Sequence, residues 1–144
     1  MKALIYASFF ESINENTPKI DYERVLDKNA RFKDPFHDVE GLDNIYNIFQ
    51  DMYKKLDNPK FKIIEIIEEN NIAYIKWDFI FNFKNSLKEE SFQGVSRVKF
   101  NNDRKVISHI DYWDTSENLY EKIPLLGSFM RFIKKMDLIK KTGA

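Results

Sequence analysis

The chain has 144 residues, in which 23 Lys or Arg balance 23 Asp or Glu, so it has no net charge with which to hold nucleic acid. It has no Cys and only two His, which excludes disulfides, thiol nucleophiles and thiolate metal sites and argues against a multi-histidine metal centre. A hydrophobic fraction of 43% and a charged fraction of 32% are those of an ordinary globular protein, long enough for one domain over residues 1–144 with a real core.

The N-terminal apolar run, residues 3–10, is far shorter than the roughly 18 residues of a membrane span and lacks the flanks of a signal peptide. A cytoplasmic protein without membrane contact is the expectation. Residues 2–15 place Leu4, Ala7, Phe10 and Ile13 at helical spacing, with Ile5, Tyr6 and Phe9 between them. Such a helix, apolar over most of its circumference, is expected to be largely buried. Asn16-Thr17-Pro18 ends it. Asp21 is expected to cap a short helix reaching Leu26, with residues 27–29 leading out of it.

The stretch R-F-K-D-P-F-H-D-V-E-G follows, residues 31–41. Pro35 fixes its own φ and pushes Asp34 toward an extended conformation. Flanked by Phe32 and Phe36, Asp34 can look into an apolar space, where burial raises a carboxyl pKa toward that of a general base. The other reading is that Asp34 caps its own turn through backbone N–H groups. His37 is expected to be exposed in the loop.

From Leu42 the residues Ile45, Tyr46, Phe49, Met52, Tyr53 and Leu56 mark an amphipathic helix, stopped by Asp57-Asn58-Pro59. The period then changes. Residues 61–68 read as a strand, and Asn70-Asn71 as a tight hairpin turn. Residues 72–83 alternate, with Ile75, Trp77, Phe79, Phe81 and Phe83 on the buried face. At about 3.3 Å per residue this strand spans roughly 40 Å and must curve with its sheet. Residues 91–100 set Phe92, Gly94, Ser96, Val98 and Phe100 on one side, and after a turn at 101–103 residues 106–113 return. Helices followed by a meander of long strands give an α+β domain, with the helices on one face of an antiparallel sheet. Residues 125–139 offer a C-terminal helix in a region with six Lys or Arg against two Asp or Glu after position 118. It is expected to dock on the domain, with a lid over a pocket as the alternative.

The stretches 31–45 (R-F-K-D-P-F-H-D-V-E-G-L-D-N-I), 93–100 (Q-G-V-S-R-V-K-F), 105–114 (K-V-I-S-H-I-D-Y-W-D) and 117–127 (E-N-L-Y-E-K-I-P-L-L-G) together resemble the nuclear transport factor 2-like superfamily, in its SnoaL-like and ketosteroid isomerase-like branch. The resemblance covers nearly the whole chain. It implies a cone: a curved sheet wrapped around three N-terminal helices, with a C-terminal helix, a pocket at the open end and frequent dimerisation. Asp34 falls where ketosteroid isomerases keep the carboxylate that shuttles a proton. The position of their oxyanion-binding Tyr corresponds to Phe10, which has no hydroxyl, and their protonated Asp to Ser96. Without those donors an enolate loses its main stabilisation, so ketosteroid isomerase activity itself is not expected.

On the last strand His109, Asp111 and Trp113 share a face by period two, and the resemblance turns that face toward the cavity. Ionisable groups in an aromatic pocket are costly unless paired or used. A proton shared between Asp34 and His109, or Asp34 and Asp111, is one use; a structural His109–Asp111 hydrogen bond is the other reading. Phe36, Trp77, Phe79, Ser96, Val98 and Trp113 are expected to line the site, with room for a flat ligand over the small Gly94 and Ser96. The expected function is binding of a small, mostly apolar molecule, with cofactor-free, metal-free acid–base chemistry by Asp34, His109 and Asp111. The competing expectation is a non-catalytic module with a filled cone. Tyr74, Ile80, Ile110 and Tyr112 interrupt the outer sheet face and suit a homodimer patch.

Overall fold

A computed structural model describes residues 1–114. The expected C-terminal helix, and with it the lid, lies outside the described residues.

Helix α1, Lys2–Ser12, buries Ala3, Tyr6, Ala7 and Phe10, which recur at the spacing of one helical face. The small Ala3 and Ala7 let the backbone approach the sheet, and the Glu68 carboxylate accepts the Ala3 N–H at 2.8 Å, a favourable charge at a helix N-terminus. Leu4 and Ile5 stand 54% and 60% exposed, so the expectation of a helix buried nearly all round is corrected. α1 packs on β3 and β4 along one side, which needs only one apolar face. Helix α2, Lys19–Val25, is led in by Pro18, and Asp21 sits inside its first turn instead of capping it.

Leu26 opens strand β1, Leu26–Lys33, with no loop between. Residues 27–29, expected as a lead-in, are therefore sheet. β1 turns back through residues 34–37 into the short β2, Asp38–Glu40. Gly41, at φ +96°, then starts helix α3, Leu42–Lys55, which buries Ile45, Phe49 and Tyr53. Only glycine adopts that backbone freely.

β3, Leu56–Glu69, begins as soon as α3 ends. The Asp57-Asn58-Pro59 stop is absorbed as a bulge, with Asn58 at φ +51° and a register shift before Lys60. Pro59 is tolerated there because β3 lies at the sheet edge, where no second neighbour needs its missing N–H. β4, Ile72–Phe83, β5, Glu89–Phe100, and β6, Val106–Tyr112, complete the meander. Its turns use positive φ at Asn70, Asn85 and Arg104.

The strand order is β2-β1-β6-β5-β4-β3, one curved six-stranded sheet with three helices on its inner face. All neighbours are antiparallel except β1 and β6, which run parallel and bring Phe32 beside His109. No helix among the described residues is long and apolar enough to cross a membrane.

Candidate functional site

The inner sheet face, α1 and α3 enclose a cavity of about 120 Å³. Phe10 of α1, Phe49 and Met52 of α3, and Phe61, Trp77 and Phe79 of the sheet supply much of its apolar wall. Phe61 and Phe79 stack with centroids 4.8 Å apart. Phe92 stacks on Trp113 at 4.5 Å, and Phe36 meets the same indole edge-on at 5.3 Å.

One end of this space is polar. Period two on β6 sends His109 and Asp111 to the same face, and His109 Nε2 lies 2.6 Å from Asp111 Oδ1. Across the β5–β6 ladder Ser96 is the register partner of Asp111, and its hydroxyl donates to the same Oδ1 at 2.5 Å. Trp77 Nε1–H donates to Ser96 Oγ at 2.8 Å. From α1, the Tyr6 hydroxyl reaches His109 Nδ1 at 2.7 Å.

The proton positions follow from pairing. With Asp111 accepting, His109 carries its proton on Nε2, and Nδ1 accepts from Tyr6. An imidazolium would instead donate to Tyr6 and leave the buried phenolic O–H without an acceptor. Burial, and after it the negative charge of Asp111, pushes the Tyr6 hydroxyl well above the ordinary tyrosine range, so it stays a donor. Two donor chains, Tyr6–His109 and Trp77–Ser96, thus converge on one carboxylate oxygen.

Asp34 also borders the cavity. Its Oδ1 accepts the N–H groups of Phe36 at 2.8 Å and His37 at 2.7 Å, and His37 Nδ1 lies 2.9 Å from both carboxylate oxygens. The turn reading of Asp34 is therefore realised. Among the described residues no hydrogen bond joins Asp34 to His109 or Asp111, whose own contacts run to each other, Ser96 and Tyr6. His37 is half-buried against Asp34, not exposed.

Trp77, Phe79, Ser96 and Trp113 line the cavity as expected. Phe36 instead stands behind Trp113. Val98 is wholly buried in the core, two residues along β5 from Ser96 and away from Phe92. The flat space expected over Gly94 is filled by the protein itself: a Cβ there would fall 2.3 Å from the Trp77 ring. The absence of a side chain at Gly94 lets the indole lie across β5 and reach Ser96.

Tyr6 joins this network although the sequence alone does not single it out. It lies one turn before Phe10 on the same buried face, and that i, i+4 relation was its available signal. Among the described residues no cluster of three His, Cys, Asp or Glu is placed to hold a metal ion.

The family model for the SnoaL-like domain matches residues 6–109. The chain belongs to the SnoaL-like domain family. No curated protein matches the sequence significantly. Solved structures share the fold at low identity. A nuclear transport factor 2-like protein of unknown function from Burkholderia pseudomallei is 14% identical, with TM-score 0.70 over 81% of this chain and 92% of its own. A hypothetical protein of ketosteroid isomerase-like fold from Catenulispora acidiphila, solved with trimethylamine, is 12% identical, with TM-score 0.69 over 83% and 89%. A proposed SnoaL-like polyketide cyclase from a Jannaschia species is 9% identical, with TM-score 0.70 over 81% and 87%.

Proposed function

We propose that this SnoaL-like domain binds a small, mostly apolar molecule in its cavity and acts on it by cofactor-free acid–base chemistry, of isomerase, cyclase or dehydratase type. The observation that carries this reading is the convergence of two hydrogen-bond chains on Asp111 at the polar end of an otherwise apolar cavity. Buried polar groups of a purely structural network need only satisfy one another. Here a carboxylate with about four acceptor sites takes two donors on one oxygen and keeps capacity for a substrate.

In this reading Asp111 accepts the substrate proton and His109, fixed as the Nε2–H tautomer by Tyr6, stabilises the carboxylate and helps to return the proton. Asp34 holds the rim, with its backbone donors keeping Phe36 against Trp113. The volume of about 120 Å³ is of the order of the roughly 150 Å³ cavity that admits one benzene ring, so the substrate is a one-ring or comparably compact molecule. An open cavity also speaks against the filled-cone alternative. On the outer face the exposed Tyr74 shares a sheet row with Arg97 and Ile110, the exposed Tyr112 lies two along β6 from Ile110, and this face pairs with a second copy in the same reading.

The test follows the two tryptophans, both of which line the cavity. Their fluorescence is titrated with one-ring phenols, enones and amines, and any binder is then incubated in heavy water and followed by NMR for carbon-bound deuterium. Exchange that is lost in Asp111→Asn supports the enzyme. Binding without exchange reduces the protein to a carrier, and no binding at all returns the non-catalytic module.

A further inference from the structure

The hydrogen-bond pattern at the polar end restricts the charge of what can enter. The Tyr6 hydroxyl, the His109 N–H, the Ser96 hydroxyl and the Trp77 N–H are each committed to a neighbour inside the network. Among the described residues the one other side-chain donor on the wall is the indole N–H of Trp113, on a half-exposed ring. What the polar end still offers is acceptor capacity on Asp111, and the second carboxylate on the wall, Asp34, adds negative charge and no donor.

Charge points the same way. Among the described residues no Lys or Arg lines the cavity, so none of them sets a cationic side chain against Asp111. The carboxylate takes two short contacts on one oxygen, inside walls made mainly of Phe and Trp. A lone anion in such surroundings is costly. An incoming anion meets that charge with no free donor at the polar end to receive it. An incoming cation removes the cost, and the aromatic rings attract it in addition. The chains that consume the donors thus select against ligands that arrive as carboxylates or phosphates, and for their opposite.

Building on the reading of this cavity as a ligand site, we propose that its ligand is a small apolar cation, an ammonium with one compact hydrocarbon group, its charge held by Asp111 and its hydrocarbon by the aromatic walls. A neutral hydrogen-bond donor of the same shape gains the acceptor and not the charge. It should bind, less tightly.

Three probes of one size separate these cases: benzylammonium, benzyl alcohol and benzoate, titrated against the tryptophan fluorescence of the intact chain near neutral pH. The expected result is that benzylammonium binds about tenfold or more tighter than benzyl alcohol, with benzoate weakest, and that Asp111→Asn brings ammonium and alcohol level. The ranking in the wild type needs no variant, so a poorly folded Asp111→Asn does not blunt the test. Benzyl alcohol equal to the ammonium, or benzoate tightest, would overturn the cation and leave the pocket standing. Failure of all three to bind would remove the pocket reading and the cation with it.

Discussion

The chain has two histidines and pairs each with an aspartate, in two surroundings. At the rim, Asp34 and His37 are three residues apart in one turn, where Asp34 Oδ1 accepts two of that turn's own N–H groups and the His37 ring lies against both oxygens. On β6, His109 and Asp111 are two apart on a strand, and their other partners come from α1 and β5. The two carboxylates are almost equally covered, with side chains 15% and 13% exposed. Burial therefore does not separate them. What does is the origin of the donors: local donors make Asp34 part of a turn, whereas side chains from four elements make Asp111 the end of a network.

The largest expected effect tests this contrast directly. Asp111→Asn should weaken ligand binding at least about tenfold, the cost of losing a charge-assisted contact of roughly 1.5–3 kcal/mol. Asp34→Asn should weaken it far less and instead lower the melting temperature, because an amide presents one acceptor oxygen to three donors. Equal losses of affinity in the two variants would collapse the distinction.

Gly94→Ala sharpens the contrast from the β5 side. The added methyl would sit 2.3 Å from the Trp77 ring, and Trp77 must swing off Ser96 to make room. Overpacking of this kind costs about 1–3 kcal/mol, measured by denaturant unfolding. The same variant should shift the tryptophan emission and weaken binding, since one of the two chains feeding Asp111 is cut. The Asp34 turn should be indifferent to it.

Tyr6→Phe is smaller in volume change and keeps the aromatic contacts, including the edge-on packing of Tyr6 on Phe10 at 4.9 Å. It strands His109 Nδ1 without a donor, a loss of about 1–3 kcal/mol in a buried site. It also releases the tautomer of His109. The ring-nitrogen NMR shifts of His109, which report its tautomer, should then change while those of His37 stay where they were.

These contrasts explain what was legible in the sequence. β4 was legible to its ends because strict alternation over twelve residues has one interpretation on a half-buried sheet. The His109–Asp111 pair was legible for the same reason. β1 was not: Asp27, Lys28 and Asn29 are poor strand formers, and the strand is held there through a shifted register to β6, which no local pattern encodes. The Asp57-Asn58-Pro59 bulge was misread because a helix stop and a bulged edge strand use the same residues. Tyr6 was missed because its partner lies 103 positions away. Residue type and spacing revealed which side chains share a face, and only the closure of α1 over the sheet showed which of them meet.

The smallest expected effect uses Tyr6 as a reporter of which aspartate it senses. Its pKa in the fold is raised above the ordinary value near 10 by burial first and by Asp111 second. A group whose folded pKa is raised contributes stability that is complete below its unfolded pKa and is lost as pH climbs toward the folded value. The neutral Tyr6 phenol thus supports the fold fully up to about pH 10 and progressively less above it. Asp111→Asn removes the Coulombic part, which lowers the folded pKa toward the unfolded one and narrows that window. The stability lost between neutral and alkaline pH should therefore be smaller in Asp111→Asn than in the wild type, and unchanged in Asp34→Asn. Alkaline unfolding curves, followed with tyrosinate absorbance, give both comparisons. A response to Asp34→Asn equal to that of Asp111→Asn would mean that the two pairs share one electrostatic environment, and the division between turn and network would have to be abandoned.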